Sequence, residues 1–269
     1  MMKPSKTGRR GKPARRVQAA YAGPRSPVRV MQIVETLAQA AQGFSLAALA
    51  QKLGIPKTSL LNHLRVMVNT GYIALQDTRY VLGPAAIRLG IVIAAGSSVL
   101  ATVGPVARAL AEESGETTLC AMLDENNRQA VYIGVIEGRQ PIRYSPAVGT
   151  LRPLYCTAMG RALLAFQEED FLRSYLEGET FARLNAKTVI DPARLGKILD
   201  RVRTDRFAVT LGEHTADVGA IASPIMERSG RVRYSIGLAI PVTRLLVSRE
   251  RLVPLVLAAA ERANWALGA

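Results

Sequence analysis

Residues 45–64, SLAALAQKLGIPKTSLLNHL, decide the fold of the N-terminal part of the chain. Leu46, Leu49, Ala50 and Leu53 recur at helical spacing, Ser45 stands where a helix cap belongs, and Gly54 can end the helix in the left-handed conformation. Pro56 suits the first turn of a following helix, where its missing N–H costs nothing. That helix carries Leu60, Leu64, Met67 and Val68 inward and stops at Gly71. A helix over residues 28–41, with Val30, Ile33, Val34, Leu37 and Ala41 on one face, supplies the third member of a helix-turn-helix. Residues 72–75 and 79–82 read as two short strands around Gln76-Asp77-Thr78, a wing. Such a break lets one helix cross a duplex backbone while the next enters the major groove.

On the last helix, Lys57, Thr58 and Ser59 form the first exposed turn, where hydroxyl, ammonium and free backbone N–H groups can hold phosphate. Asn62 and Arg65 lie further along, where Asn suits adenine and Arg suits guanine. Ser45 at the preceding helix start and Arg79 on the wing complete the candidate DNA contacts. His63 is one position from the exposed face and reads as a groove-rim or packing residue.

The charge balance agrees with a polyanionic partner: net charge is +14 over 269 residues, and the sequence pI is about 10.4. Residues 1–29 hold nine Lys or Arg and no acid, so residues 1–25 are expected to form a basic tail, disordered in isolation, that acts either as a solubilising arm or as a DNA-backbone arm. The tail lacks both the apolar core of a signal peptide and the amphipathic face of a transit peptide. With 49% apolar residues the remainder can bury a substantial core. Cys120 and Cys156 make neither a disulfide framework nor a zinc pattern, which points to a reduced, cytoplasmic protein. Residues 89–107 carry no charge, yet Gly90, Gly96, Ser97, Ser98, Thr102, Gly104 and Pro105 suit a buried linker helix at a dimer interface better than a membrane span. The expected organisation is a winged helix-turn-helix over 26–84, a linker over 85–103 and a second domain over 104–269.

In the second domain, strand-like runs at 117–123, 130–136 and 141–145 precede helices at 157–166, 168–177 and 192–204. Strands at 207–211, 218–226 and 231–240 and a final helix over 248–267 follow. Strands, then helices, then strands imply an antiparallel sheet with helices packed on it, an α+β domain. Within GTLRPLYCTAMGRALLAF, residues 149–166, Thr157 can cap a helix whose Ala158, Met159 and Gly160 N–H groups attract a carboxylate, with Arg152 adding a charge-assisted hydrogen bond. A Cys156/His214 nucleophile pair, or a metal at His214 and Asp217, is chemically conceivable, but their spacing supports neither. There is no GxSxG, HExxH, glycine-rich phosphate loop or clustered CxxC, so no enzyme, metal or cofactor is expected. A sequence-neutral DNA-coating protein driven by the tail is the alternative to a regulator, and a Cys/His-dependent enzyme is a weaker one.

Five motifs, in order, resemble the IclR family of bacterial transcriptional regulators: LAALAQKLGIPKTSLLNHL, GYIALQDTRYVLGPAAIRLG, EESGET, VGTLRPLYCTAMGRALLAF and VGAIASPI. The resemblance runs from about residue 27 to 267. It implies a winged helix-turn-helix joined by a linker helix to a GAF-like effector-binding domain, in a homodimer or dimer of dimers on palindromic operator DNA near catabolic genes. It also implies a small organic acid effector at Pro141 and Tyr144 on the strand before the loop, Arg152, Ala158, Met159, Thr210, Ala220, Gly237 and Ala239. Relatives often have an acidic run before the Glu-His pair and polar residues lining the pocket; here Thr210-Leu211-Gly212 and Ala220, Gly237 and Ala239 stand instead. A larger, more apolar acid is therefore expected, an aromatic carboxylate stacked on Tyr144. Asn62 stands where many relatives have Arg, so the operator should differ from theirs.

Overall fold

The computed structural model describes residues 25–40, 42–96 and 98–268. Residues 1–24, most of the expected basic tail, lie outside the described residues. The chain forms two compact units that adjoin between Ile91 and Val92, inside the segment expected to be a linker.

The first unit is built from α1 (Arg25–Ala38), α2 (Leu46–Leu53), α3 (Lys57–Asn69) and the strands β1 (Ile73–Gln76) and β2 (Arg79–Leu82). Arg25, assigned to the tail by sequence, opens α1, which starts and ends three residues before the expected bounds. Ser45 caps α2 by accepting from the Ala48 N–H at 3.3 Å, and Gly54 takes φ 63°. The Gly54 N–H then donates to Gln51 O and the Ile55 N–H to Ala50 O, which closes the helix and turns buried Ile55 into the core. Pro56 is the residue before α3 rather than part of its first turn, and it offers no side-chain cap. Ile33, Leu37, Leu49, Ile55, Leu60, Leu64, Met67 and Ile73 make one core. The wing strands pair antiparallel with Gln76 opposite Arg79, which leaves a two-residue turn at Asp77-Thr78 with Asp77 at φ 55°. Phe44 and Tyr80 exchange backbone hydrogen bonds of 3.1 and 2.8 Å, tying the wing to the entrance of α2.

The region from Pro84 to Ser114 forms two helices, α4 (Pro84–Gly96) and α5 (Ser98–Ser114). Among the described residues no helix is long and apolar enough to cross a membrane. The second unit contains a six-stranded antiparallel sheet in the order β5-β4-β3-β8-β7-β6. Its strands are β3 (Thr117–Asp124), β4 (Gln129–Ile136), β5 (Leu151–Pro153), β6 (Ala208–Leu211), β7 (Val218–Met226) and β8 (Val232–Pro241). Strand alternation divides the core in two. Leu119, Ala121, Leu123, Tyr132, Ala222 and Ala239 pack beneath α6 (Ala158–Leu164), α7 (Glu169–Gly178) and α8 (Pro192–Asp205). Cys120, Ile221, Ile225, Ile236, Leu238 and Ile240 face α5 and α9 (Val242–Ala266).

Three sequence readings need correction. Residues 141–145 are not a strand, because no ladder partner flanks them. They belong to a strap held by Arg143, which donates to Glu137 at 3.0 Å, and by Arg244, which donates to Ile142 O at 3.0 Å. The unforeseen β5 pairs with β4 instead. The final helix starts at Val242, six residues earlier than expected, because Pro241 ends β8 and leads straight into it.

Gly237 lies between β3 and β7, opposite Leu119 and Ala222, and a Cβ there would meet Ile221 O at 2.2 Å and Ala222 Cα at 2.8 Å. Its role is strand packing. Gly237→Ala is expected to lower stability by roughly 1–3 kcal/mol, read as a shift of the urea midpoint with an unchanged slope.

Candidate functional site

In the first unit, α3 buries one face and exposes the other, where Val66 is a large apolar side chain left 62% exposed. Leu60, Leu64 and Met67 are buried, while Thr58, Asn62, Arg65 and Asn69 are exposed at spacings of four, three and four residues, a single stripe. Asn69 was not singled out by sequence; the i+4 continuation from Arg65 was the available signal. The side chains of Lys57, Thr58, Asn62 and Arg65 make no hydrogen bond or ion pair to another described residue. Because Pro56 provides no side-chain cap, the first-turn N–H groups of α3 have no acceptor from that residue. Ser59 is half-buried and accepts from Arg29 Nη1 at 3.3 Å, so α1 and the start of α3 are joined at this edge. Ser45 uses its oxygen as a cap, and Arg79 donates to Gly43 O at 3.0 Å, which anchors the wing. His63 is half-buried, in keeping with a packing residue. Residues 25–91 carry seven Lys or Arg against Glu35 and Asp77, so this unit is basic even without the tail.

In the second unit, Thr210, Ala220 and Ala239 lie in register across β6, β7 and β8 and floor a cavity. Tyr144, Arg152, Ala158 and Met159 complete the part foreseen by sequence. Pro141 is exposed in the strap and Gly237 is covered by Ala222; neither lines the cavity. Leu119, Tyr132, Cys156, Thr157, His214, Thr215 and Val218 were missed as lining residues. Leu119 and Tyr132 could be found only from strand register, whereas Cys156 and Thr157 adjoin residues already chosen. Thr157 caps α6 by accepting from the Gly160 N–H at 3.1 Å, so one of the three N–H groups expected to face an anion is already occupied.

Arg152 dominates the electrostatics. Its Nη2 donates to Tyr144 Oη at 2.7 Å, its Nη1 to Leu151 O at 3.1 Å, and its guanidinium lies 5.9 Å from the Tyr132 ring centre. Among the described residues it has no carboxylate partner. Burial, with a smaller contribution from the Arg152 charge, pushes the His214 imidazole below its ordinary pKa, so it is neutral at pH 7. Burial also raises the Cys156 thiol to about 12, which disfavours the thiolate.

The wall carrying His214 is fixed by a buried ion pair. Arg161, 1% exposed, donates from Nη1 to Glu213 Oε1 at 2.8 Å, from Nη2 to Glu213 Oε2 and from Nε to Tyr155 O at 2.7 Å. Thr188 and Asn185 hold the Glu213 backbone oxygen at 2.8 and 3.2 Å.

A profile of the C-terminal domain of the bacterial transcriptional regulator IclR matches residues 93–265, and one of the IclR helix-turn-helix domain matches residues 26–77. The chain belongs to the IclR family. It is similar to the transcriptional repressor IclR of Escherichia coli, 26% identical over 98% of this chain and 97% of that protein. Its fold is similar to an IclR-family regulator from Alicyclobacillus acidocaldarius, with a TM-score of 0.81 and 23% identity over 91% of this chain and 100% of that one. It is also similar to an IclR homologue from Microbacterium hydrocarbonoxydans, whose structure is a complex with 4-hydroxybenzoate. There the TM-score is 0.79 with 18% identity over 90% of this chain and 98% of that one. In this IclR-family chain α3 is the second helix of the helix-turn-helix, and the cavity lies in the matched C-terminal domain.

Removing Glu213 would leave the Arg161 guanidinium buried without a counter-charge. Glu213→Ala is expected to cost about 3–5 kcal/mol of unfolding free energy, measured by urea titration, whereas exchanging both residues for apolar ones of similar volume should cost far less.

Proposed function

We propose that this IclR-family transcriptional regulator reads operator DNA with the exposed stripe of α3 and changes its DNA affinity when a small organic acid enters the cavity of the second unit. One observation carries the DNA reading: a helix whose apolar face is core presents Thr58, Asn62 and Arg65 in line, with no described partner, on a basic unit. Lys57 and the uncapped N–H groups of α3 suit a phosphate, and Asn62 and Arg65 suit base edges. Ser45, Ser59 and Arg79 then act chiefly by holding the turn, α1 and the wing in place.

The effector reading rests on Arg152, a cation on a cavity wall without a carboxylate partner among the described residues, beside the Tyr132 ring and an apolar floor. That chemistry suits an aromatic carboxylate, and a neighbour in fold is known with 4-hydroxybenzoate bound. Ile87, Leu89, Ile91, Val92 and Ile93 leave α4 with exposed apolar side chains. A homodimer, or a dimer of dimers, that covers them accounts for that surface and matches a two-fold operator. The protein then acts in the cytoplasm, on catabolic genes, as a ligand-responsive regulator without an enzymatic role. The effector works by binding one arrangement of the dimer better than another. The basic residues of 1–24 add a sequence-independent attraction to the duplex.

The test is a gel shift with the DNA upstream of the gene at several salt concentrations. Asn62→Ala and Arg65→Ala should each lower the preference for operator over random duplex by about 1–3 kcal/mol. Lys57→Ala should weaken both duplexes and lower the log–log salt slope by about 0.9. Equal loss on both duplexes for all three variants would instead support sequence-neutral coating.

A further inference from the structure

The cavity described above is nearly filled. The clear space within it is about 30 Å³, room for about one water and far less than a carboxylate with a carbon skeleton requires. Tyr144 is one of the side chains that line it. Tyr144 sits in the strap of residues 141–149, which has no regular secondary structure, and its hydroxyl takes an Arg152 N–H at 2.7 Å. The strap is tied down on both sides of Tyr144, the nearest tie being the Ser145 hydroxyl, which donates to Glu137 at 2.8 Å, and the Tyr144 ring itself packs against the core. On one side Arg143 is bound to Glu137 and Arg244 holds Ile142 O; on the other the Gly149 N–H donates to Tyr132 O at 2.7 Å.

The acceptors on Arg152 are a phenol and a backbone carbonyl, both neutral. A carboxylate at the same N–H groups adds an opposite charge and can take two of them in parallel, which a neutral phenol cannot. Nothing else on the cavity wall offers a comparable exchange. Thr210 is 5% exposed and carries no charge, and His214 is kept neutral.

We infer that Tyr144 is a built-in occupant of the effector anchor: its phenol holds Arg152 when no acid is present, and a carboxylate enters only by taking the Arg152 donors from it and displacing the strap. This rests on the effector reading proposed above and adds what sets its threshold. The latch makes the site selective for anions, because a neutral isostere cannot outcompete the phenol for a cation. It also gives the displacement a route into the fold. Ile142, two residues from Tyr144, is bound by Arg244 of α9, and the same guanidinium grips Glu116, 2% exposed, at the junction of α5 and β3.

The experiment is calorimetric titration of the full chain with benzoate and 4-hydroxybenzoate, with benzamide as the neutral isostere, on wild type, Tyr144→Phe and Arg152→Gln. Retained operator binding serves as the check on folding. Loss of a competing hydrogen bond predicts that Tyr144→Phe binds the acids about three- to tenfold tighter than wild type, that Arg152→Gln loses them, and that benzamide binds none of the three. Equal or weaker acid binding by Tyr144→Phe, with loss in Arg152→Gln, overturns the latch and leaves the effector reading standing. Benzamide binding as well as benzoate overturns the anion selectivity. Acid binding unchanged in Arg152→Gln, or absent from wild type and Tyr144→Phe alike, overturns both the latch and the aromatic-acid reading on which it rests.

Discussion

The second unit depends on the contact between Arg161 and Glu213. A guanidinium almost wholly removed from water needs its counter-charge and its remaining donors satisfied, and the chain supplies a two-pronged carboxylate and the Tyr155 carbonyl. Meeting that demand fixes more than two side chains. Arg161 lies on α6, which covers the sheet, and Glu213 lies in the loop between β6 and β7, so the pair sets the position of one cavity wall relative to the helix beside it. Thr188 and Asn185 then bring in the segment before α8. His214, next to Glu213, is held at the cavity by backbone whose geometry its neighbour dictates.

The first unit solves a different problem. With three helices and a two-stranded wing it must keep one face of α3 dry and the other wet. Gly54 and Ile55 do this locally, one by adopting a left-handed backbone and the other by entering the core. Gly43 does it at longer range: a Cβ there would lie 2.3 Å from Tyr80 O, so only a glycine lets the wing strand approach the entrance of α2. The wing is thereby a continuation of the helical unit and not a loose appendage.

Much of this was legible in residue order, for identifiable reasons. The cap at Ser45 and the left-handed Gly54 are local signals, each carried by a few neighbouring residues, and the helix expected over 192–204 opens at Pro192 behind its Asp191 cap. Periodicity gives Thr58, Asn62 and Arg65 of the exposed stripe of α3, but neither its continuation to Asn69 nor the half-buried place of Ser59. What sequence could not provide was pairing. Residues 141–145 have strand composition, but a strand exists only with a partner, and the ladder position beside β4 belongs to β5. For the same reason residue order does not reveal that Leu119 and Tyr132 line the cavity while Gly237, a position the family resemblance implies, lies beside Ala222: which residues of a sheet share a wall depends on register and on what covers them. The ion pair of Arg161 with Glu213 joins positions 52 residues apart and leaves no local trace.

The two thiols offer an experimental opening. Cys120 and Cys156 are both buried, and burial raises each to about 12, which disfavours their reaction with alkylating probes at neutral pH. A cysteine introduced on the outer stripe of α3, or at an exposed position of the strap, would therefore be the single labelling point in the molecule. Fluorescent or spin reporters could then be attached to either unit with the native sulfur atoms left in place.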